Sequence, residues 1–598
     1  MIFSLTAALF LAAPAAASAD IWPGSYLEEQ MTEMKVPGVA VAIVTPDGAV
    51  TLEGYGFADI ENGVRAGPDT VFRVGSNSKP VTASAALILA SKHAIDLDTD
   101  IRPLLSDLTV RPQLDTPLTL HQLLTHTAGF NEALFGQHRQ PGDWTPLKPY
   151  LKNHLPPRFI EPGEIISYVD FHTALAGLVI EETSGQPFQD FTEDALFKPL
   201  NMTSSTFRQV DIPTAIAERR AKSYRYVGGK YIPYPFDAIE TTPAAGLSTS
   251  ARDMGKYLQW LLRGRREDVE TKAPKAAVRA QLSIQARNHP ALEGRAYGFA
   301  ERRYNGWRVL YKDGQATGFN ARLLIVPDAD IAFFIVHNAS ILEPGGGFAD
   351  ARRLIREFTD EFLARHLINE GPITPVEWTE TEPTLPPDAY AGHYRTSVAS
   401  RHSWEKLIAI FDTVDVKVKD NELLIADRPA NPVGEHLFAD ANRGSLRAFR
   451  VVNDRATHIF FGPGAYERVS PLESPMISAV IGLGFTMVLT ILSGASFFPA
   501  GRRVVGLFGS VASALCLTFI IGFGYVLFTT DPQLFFHGMT PALQILLALP
   551  FIAIAIATLG FSIHLRRRGG LPTLIPLIIV AAFCLWLWQW NLLGWLNN

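Results

Sequence analysis

An α+β domain, a small antiparallel β domain and four membrane-spanning helices are predicted for this chain of 598 residues. Strand-like apolar runs stand at both ends of residues 20–370, and helical patterns fill the stretch between them. Residues 389–470 show short runs in which apolar and polar residues alternate, which is typical of antiparallel strands. Residues 475–598 are almost entirely apolar, with stretches of about twenty residues that are long enough to cross a bilayer as helices.

Composition and charge narrow the class of protein. Hydrophobic residues make up 47% of the chain and charged residues 19%, which excludes a disordered chain. The formal net charge is −6, and a nucleic acid is therefore not expected as a partner. Both cysteines, Cys516 and Cys584, lie in the apolar tail, so the soluble part can form no disulfide. That fits the cytoplasm or the bacterial periplasm.

The first nineteen residues favour export. Ile2–Ala13 is mainly apolar, and Ala17-Ser18-Ala19 has the small-x-small pattern of a signal-peptide cleavage site. The only positive charge before the apolar run is the α-amino group, so an uncleaved membrane anchor is the alternative. We expect a signal peptide over residues 1–19.

The membrane domain, residues 475–598, contains four predicted spans. They are Met476–Phe498, Val504–Phe528, Ala542–His564 and Leu574–Trp595. Arginines occur in the first and third connections, at positions 502–503 and 566–568, which places these connections in the cytoplasm by the positive-inside rule. The expected location is the bacterial inner membrane, multi-pass, with the soluble part in the periplasm. No charged residue lies deep within a span, so anchoring in the lipid bilayer is favoured over transport or signalling.

The elements of the first domain are predicted in chain order. Val36–Phe57 reads as a hairpin, and strands recur near Tyr297–Arg302 and Trp307–Tyr311. A second hairpin is predicted over residues 321–336, around the turn at residues 327–330. A helix near Ala349–Leu367 ends the domain. Because strands occur at both ends, we expect them to meet in one sheet.

A proline-rich linker, residues 371–388, precedes the small β domain. The predicted strands of this domain are Lys406–Phe411, Val414–Val418, Glu422–Ile425, Arg447–Val452 and His458–Phe461. It contains no recognisable chemical motif. Shielding of a site, spacing from the bilayer and binding of a partner all remain open as its role.

The chemistry-bearing motif is Ser76-Asn-Ser-Lys79, which opens an Ala-rich helical pattern. Residues three apart share one face of a helix, so the lysine amine lies within reach of the serine hydroxyl. A serine hydroxyl becomes nucleophilic only when a neighbouring base removes its proton. The neighbouring Ser78 is a weaker candidate, because it faces another side of the helix. A second copy, Ser403-Trp-Glu-Lys406, lacks the helical context and is interpreted as accidental.

Four further segments follow the first motif along the chain. They are Leu123–Phe130, Pro162–Asp170, Ala245–Asp253 and Lys312–Phe319. With them the sequence resembles the serine β-lactamase/penicillin-binding-protein-like hydrolases, in the branch of class C β-lactamases, D-stereospecific peptidases and related esterases. The resemblance covers about Asp20–Leu367, within the predicted domain over residues 20–370. It implies a β-lactamase/transpeptidase-like antiparallel sheet flanked by helices, with a helical subdomain.

The resemblance also implies roles for individual residues. Ser76 would attack a carbonyl carbon and become acylated, Lys79 would share its proton, and Tyr168 would act as general base. The backbone N–H groups of Ser76 and Gln315 would form the oxyanion hole, since fixed amides stabilise a developing negative charge. Lys312 and Gly314 would line the site opposite the nucleophile. His126, in the segment Leu123–Phe130, is interpreted as part of a structural turn. No cofactor and no metal are implied.

Two residues depart from the family pattern. Asp170 stands where the family has Asn, and its carboxylate is expected to pair with Lys79 and to raise the pKa of that amine. Asp313 stands where the family has Thr, Ser or another small residue beside the substrate carboxylate. The charge of Asp313 would disfavour an anionic β-lactam or peptide C-terminus. As substrate-binding residues the two carboxylates together argue against efficient β-lactam hydrolysis and favour neutral or cationic substrates.

The function predicted from these residues is a membrane-anchored serine hydrolase that cleaves an ester or amide. Its partner would be a small-molecule or peptide substrate, with cell-wall-derived D-amino-acid peptides, β-lactam-like compounds and small esters as the classes. The alternative is a membrane protein that binds or senses such ligands, penicillins included, without turnover. A transporter with an accessory domain is a third hypothesis, disfavoured by the uncharged spans. No feature of the sequence indicates an oligomeric state.

Overall fold

The computed structural model describes residues 23–93, 95–111, 116–266, 274–340, 351–373, 379–441, 445–495, 499–567 and 574–593. The predicted signal peptide, residues 1–19, lies outside these residues, as do residues 374–378 of the predicted linker.

The first unit contains eleven helices and fourteen strands among the described residues. The helices are α1 (Gly24–Glu33), α2 (Ser78–His93), α3 (Leu120–Thr125), α4 (Leu147–His154), α5 (Asp170–Ser184), α6 (Phe188–Thr192), α7 (Thr214–Ala217), α8 (Thr242–Ala245), α9 (Ala251–Gly264), α10 (Lys275–Leu282) and α11 (Ala351–His366). The strands are β1 (Gly38–Val44), β2 (Val50–Asp59), β3 (Val64–Arg65), β4 (Val71–Arg73), β5 (His138–Arg139), β6 (Tyr224–Val227), β7 (Lys230–Pro233), β8 (Ala238–Ile239), β9 (Ser248–Ser250), β10 (Arg295–Ala296), β11 (Phe299–Tyr304), β12 (Trp307–Ala316), β13 (Phe319–Val326) and β14 (Ile331–His337).

Eight of these strands form one antiparallel sheet. Their order is β10-β11-β12-β13-β14-β1-β2-β3. The two predicted hairpins are confirmed as β1–β2 and β13–β14. Strand β1 pairs with β14, with Val39 opposite His337, so the strands from the two ends of the unit meet as predicted. The predicted closing helix is α11, whose first expected residues, 349–350, lie outside the described part.

Side chains alternate across the sheet and build two cores. Val39 and Val41 of β1 pack on one face with apolar residues of α1 and α11. Ala40 and Ala42 face the other way, toward the larger core that includes α2, α5 and α9. This alternation follows from the two-residue repeat of a strand. The same alternation decides which side chains of β12 lie on the face of the sheet that packs against α2.

The second unit is a closed eight-stranded barrel. Its strands are β15 (Gly392–Thr396), β16 (Thr413–Lys419), β17 (Glu422–Ile425), β18 (Arg428–Gly434), β19 (Leu437–Asp440), β20 (Leu446–Val452), β21 (Arg455–Phe461) and β22 (Gly464–Val469). The predicted strand Lys406–Phe411 is wrong, because Trp404–Phe411 forms a 3₁₀-helix. The Ser403 hydroxyl accepts the Glu405 N–H at its start, and Leu407 and Ile410 pack against the apolar helices of the tail. The apolar run therefore contacts another unit and not the barrel interior.

Four apolar helices lie in the described part of the tail. They are α12 (Pro475–Ala495), α13 (Pro499–Thr529), α14 (Pro541–Arg567) and α15 (Ile575–Gln589), and α13 is broken at Gly506, whose φ is +69°. Among the described residues of the chain, three helices are long and apolar enough to cross a membrane. The fourth predicted span, Leu574–Trp595, is shorter than expected: α15 has 15 residues, or about 22 Å, and turn residues follow it.

The apolar helices contact the first unit and the barrel at one end. Gln533, between α13 and α14, accepts the Gly318 N–H at 2.9 Å. At the end of α15, the Gln589 carbonyl accepts from Lys406 Nζ at 2.8 Å. Arg502 and Arg503, near the start of α13, and Arg566, near the end of α14, lie at the opposite ends of these helices, inside the helices and not in the predicted connections.

Candidate active site

The Ser76 turn is in backbone contact with strand β12. Ser76 lies in a single 3₁₀ turn, Gly75–Asn77, directly before α2. Gly75 has a φ of +50°, and a Cβ on it would lie 2.0 Å from the Gln315 carbonyl oxygen. A Cβ on Gly314 would lie 1.9 Å from the Val74 carbonyl oxygen. Only glycine permits both approaches, so the pair brings the backbones of Ser76 and Gln315 side by side.

The three predicted catalytic side chains converge on one oxygen atom. Lys79 Nζ donates to Ser76 Oγ at 2.9 Å, and the Tyr168 hydroxyl donates to the same atom at 2.8 Å. Lys79 comes from the first turn of α2, whereas Tyr168 comes from the segment that enters α5. Ser76 is partly exposed, while Lys79 is buried. The nucleophile therefore faces solvent, with its two partners behind it.

Asp170 contacts Lys79 directly. The Asp170 carboxylate lies 2.7 Å from Lys79 Nζ, and the Ala244 carbonyl accepts from the same ammonium at 3.0 Å. Burial lowers the pKa of Lys79, but Asp170 and Tyr168 oppose this, and the net pKa is raised above the ordinary value. Lys79 is therefore an ammonium group at neutral pH. This agrees with the expectation that Asp170 would hold the charge of the lysine.

A second acid, Glu132, lies beside Asp170. Its carboxyl group accepts the Asp170 backbone N–H at 3.0 Å, at the first residue of α5. Burial, and next the charge of Asp170, raise the pKa of Glu132 well above its ordinary value. Glu132 thus fixes the backbone that carries Asp170, and burial favours the protonated form of its carboxyl group.

Cations surround the ring of Tyr168. Lys312 Nζ lies 4.5 Å from the ring centroid, Lys79 Nζ 4.9 Å, and Arg295 Cζ 5.1 Å. Burial raises the pKa of the Tyr168 hydroxyl, but Lys312 and Lys79 lower it, and the net pKa lies below 10. The ring of His126 also packs against the Tyr168 ring, with centroids 4.6 Å apart. The phenolate form of Tyr168 is therefore favoured relative to an ordinary tyrosine.

The structure does not bring Asp313 into the site. Its carboxylate accepts two hydrogen bonds from Arg322, at 2.6 and 2.9 Å, on the face of the sheet covered by α11. Arg322 also donates to Thr359 of that helix. Lys312 and Asp313 are neighbours on β12, so their side chains point to opposite faces. The expected position of Asp313 beside the substrate is corrected, and with it the expectation that this carboxylate repels anions.

The other serine candidate, Ser78, has a structural role. Its hydroxyl donates to the Gly75 carbonyl at 2.6 Å and accepts the Leu247 N–H at 2.9 Å, which leaves it buried. His126 ends α3 in the left-handed region, with φ +60°. Its Nδ1 accepts the Val169 N–H at 3.3 Å, next to Tyr168. The predicted turn at His126 thus also holds the tyrosine segment.

Sequence reasoning missed Arg295 and Glu132. Arg295 stands in a two-residue strand, β10, and Glu132 stands in a loop after α3, and neither belongs to a recognisable motif. Their approach to Tyr168 and Asp170 arises from long-range packing. In the described part of the chain, no three His, Cys, Asp or Glu side chains are grouped so that they could hold a metal ion.

Curated proteins of similar sequence align with part of this chain. The curated relatives include Protein flp of Staphylococcus aureus, 25% identical over 40% of this chain and 47% of that protein. They also include Unguisins hydrolase ungD' of Aspergillus campestris, 25% identical over 56% of this chain and 64% of that protein. This chain therefore spans about half to two thirds of the relatives it matches.

A solved structure and a family model extend the comparison. The crystal structure of SurE superimposes with a TM-score of 0.53 at 20% identity, covering 75% of this chain and 98% of that one, which shows the fold. The model of the beta-lactamase family matches residues 25–357, more than half of the chain and all of the residues that form the site. The chain belongs to the beta-lactamase family.

Proposed function

We propose that the protein is a membrane-anchored serine hydrolase that cleaves an ester or amide through an acyl-serine intermediate. The observation that carries the proposal is the double contact on Ser76 Oγ, with Lys79 Nζ at 2.9 Å and the Tyr168 hydroxyl at 2.8 Å. A nucleophile and a base within hydrogen-bond distance are the minimum for covalent catalysis by serine. Membership of a family of hydrolases supports the same reaction class.

Tyr168 acts as the base in this proposal. In acylation the Tyr168 phenolate takes the proton of Ser76 Oγ as that oxygen bonds to the carbonyl carbon. The backbone amides of Ser76 and Gln315 stabilise the oxyanion. The tetrahedral species then expels the leaving group, which takes the proton from Tyr168. In deacylation the phenolate deprotonates water, the hydroxide attacks the acyl carbon, and the proton returns to Ser76 Oγ.

Lys79 supports this chemistry as a cation. Its raised pKa keeps it charged, so it has no free electron pair to accept a proton at neutral pH. The ammonium instead stabilises the phenolate, to which Lys312 contributes as well. In this proposal Lys79 acts as a cation and Tyr168 as the base, because the carboxylate at position 170 holds Lys79 in the charged form.

The cleft favours substrates that carry a negative group. Lys312 and Arg295 add positive charge around Tyr168, whereas Asp313 is paired on the other face of the sheet. Substrate classes with a carboxylate near the cleaved bond, such as D-amino-acid peptides and β-lactam-like compounds, fit this charge better than cationic esters do. Small neutral esters fit the nucleophile without using these cations.

The catalytic domain is proposed to face the periplasm of a bacterial inner membrane. The soluble units are contacted by the connection between α13 and α14 and by the end of α15. Consecutive helices therefore run alternately away from the soluble units and back toward them. Arg502 and Arg503 lie at the far end, which the positive-inside rule places in the cytoplasm.

The test uses the full chain in detergent micelles, with a fluorescent serine-reactive acyl probe and a chromogenic ester. Wild type is compared with Ser76→Ala and with Ser403→Ala, a matched control that removes the hydroxyl of the second Ser-x-x-Lys segment. We expect labelling and turnover to be lost only in Ser76→Ala. Labelling without turnover in the wild type would support a ligand-binding protein that does not turn over. A signal independent of Ser76 would overturn both functions.

A further inference from the structure

The buried carboxylate of Asp237 contacts side chains from four other parts of the chain. The Thr317 hydroxyl donates to it at 2.6 Å, His138 Nδ1 lies 2.8 Å away, and Arg73 forms an ion pair with it. The fourth partner is His537 of the membrane domain, whose Nε2 lies 3.3 Å from the same carboxylate. Burial raises the pKa of Asp237, but Arg73 and His138 lower it well below the ordinary value, so the group is an anion.

Two of these partners, Arg73 and Thr317, lie close in sequence to the residues whose backbone amides form the proposed oxyanion hole. Arg73 precedes Ser76 by three residues, and Thr317 follows Gln315 by two residues. One rigid carboxylate therefore ties the strand that enters the nucleophile turn to the end of the strand that supplies the second amide. The separation of the two oxyanion donors depends on this link, because a backbone amide moves with its neighbours in a strand.

The membrane domain contributes more than His537. We name residues 530–540, which connect α13 to α14, the membrane connection. Its Gln533 accepts the N–H of Gly318 at 2.9 Å and donates to the Ser340 hydroxyl at 2.9 Å. Gly318 has a φ of +71° and forms the tight turn between β12 and β13. Asp531 accepts a hydrogen bond from Arg225 at 3.0 Å. Gln533 and Asp531 are both 5% exposed.

Aromatic side chains also pack in the contact between the membrane connection and the first unit. Phe536 stacks on His138 with ring centroids 5.1 Å apart, and its carbonyl accepts the Gly136 N–H at 3.0 Å. Phe535 packs on Phe135 at 5.5 Å. The membrane connection is therefore buried against the catalytic domain through hydrogen bonds, an ion pair and stacked rings. Attachment to a membrane alone would not require polar contacts to the turn beside Gln315.

We propose that the membrane connection contributes to catalysis, because its residues Gln533 and His537 position the strand that carries the second oxyanion donor. This inference rests on the proposed function. Gln533 fixes the Gly318 turn from one side and His537 supports Asp237 from the other, so the membrane helices set the geometry of the oxyanion hole. Both are positioning residues, since neither touches the reacting atoms.

The experiment measures kcat and KM for a chromogenic ester with the full chain in nanodiscs. Gln533→Leu keeps the size of the side chain and removes both hydrogen bonds, and His537→Leu removes the contact to Asp237. We expect kcat to fall about tenfold in each with KM within twofold, because misplaced oxyanion donors weaken only transition-state binding. Gln544→Leu, an exposed glutamine at the start of α14, is the matched control and should keep wild-type kcat.

A conservative variant separates positioning from loss of fold. His537→Gln retains a donor that can reach Asp237, and it should recover at least half of the wild-type kcat that His537→Leu loses. Wild-type kcat in both leucine variants, or a change confined to KM, would overturn the inference. A kcat of His537→Gln that is no higher than the kcat of His537→Leu would overturn the inference as well. If the wild-type chain itself showed no Ser76-dependent turnover, the proposed function would fail first, which distinguishes the two failures.

Discussion

The Asp170 carboxylate lies 2.7 Å from the ammonium group of Lys79, at the position where the family pattern has an amide. The carboxylate raises the pKa of Lys79, whereas the nearby cations lower the pKa of the Tyr168 hydroxyl. In the mechanism proposed above, Lys79 therefore supplies electrostatic stabilisation and Tyr168 acts as the base.

Replacing Asp170 by Asn should raise reactivity toward β-lactams. The variant removes the carboxylate that holds the pKa of Lys79 up and supplies an amide donor for a substrate carbonyl. The Asp170 charge also raises the pKa of the Tyr168 hydroxyl, so its loss favours the phenolate base. We expect acylation by a fluorescent penicillin to rise about three- to tenfold, as for a base whose pKa falls by about half a unit to one unit. Glu132→Gln, which keeps the neighbouring hydrogen-bonding group, is the control. An unchanged or lower acylation rate would contradict the charge argument.

Replacing Lys312 by Met should shift the pH dependence of the reaction upward. Activity that requires the Tyr168 phenolate rises as the pH passes through the pKa of this hydroxyl, which lies below 10. Lys312 is the charge that lowers this pKa most, so its loss raises the pKa and moves the rising limb of kcat/KM to higher pH, by about one unit. The measurement is kcat/KM for a neutral ester between pH 6 and pH 10.5.

The control for this profile is Lys152→Met, which removes an exposed lysine of α4. Its profile should coincide with that of the wild type. A rising limb that stays in place in Lys312→Met, or that moves to lower pH, would mean that Tyr168 is not the titrating base.

Replacing Asp313 by Asn should leave substrate selectivity unchanged. The Asp313 carboxylate is bound by Arg322 on the face of the sheet that is covered by α11. We therefore expect the ratio of kcat/KM for an anionic ester to that for a neutral ester to stay within twofold of wild type. The same ratio should fall in Lys312→Met. Equal effects of the two substitutions would show that position 313 does reach the substrate.

Replacing Gly314 by Ala should separate the two oxyanion donors. The new Cβ would lie 1.9 Å from the Val74 carbonyl oxygen, so either the strand or the nucleophile turn must move. Overpacking of this kind costs about 1–3 kcal/mol, and the displaced amides should lower turnover by about a hundredfold. Thermal unfolding and ester turnover are both measured. Gly67→Ala, whose Cβ would have no heavy atom within 4 Å, should change neither, and turnover near the wild-type value in Gly314→Ala would contradict the proposed contact.

Much of the architecture was predictable because local patterns carry it. The continuous apolar runs of β1 and of the tail helices and the turn at residues 327–330 are each recognisable within one short stretch of sequence. The segment Lys406–Phe411 was mispredicted as a strand, because its apolar residues contact the membrane helices and not the barrel. A short apolar run does not reveal which unit it packs against.

The sequence by itself determined the family, since Ser76, Lys79 and Tyr168 stand in motifs that are recognisable one by one. It also determined that the tail is apolar and that Asp170, two motifs further along the chain, would meet Lys79. Only the tertiary structure decided that Asp313 turns away from the cleft, that Arg295 and Glu132 enter it, and that Gln533 and His537 reach the strand beside it. These contacts join residues up to about three hundred positions apart. They form only when the units pack together, so the local sequence pattern does not predict them.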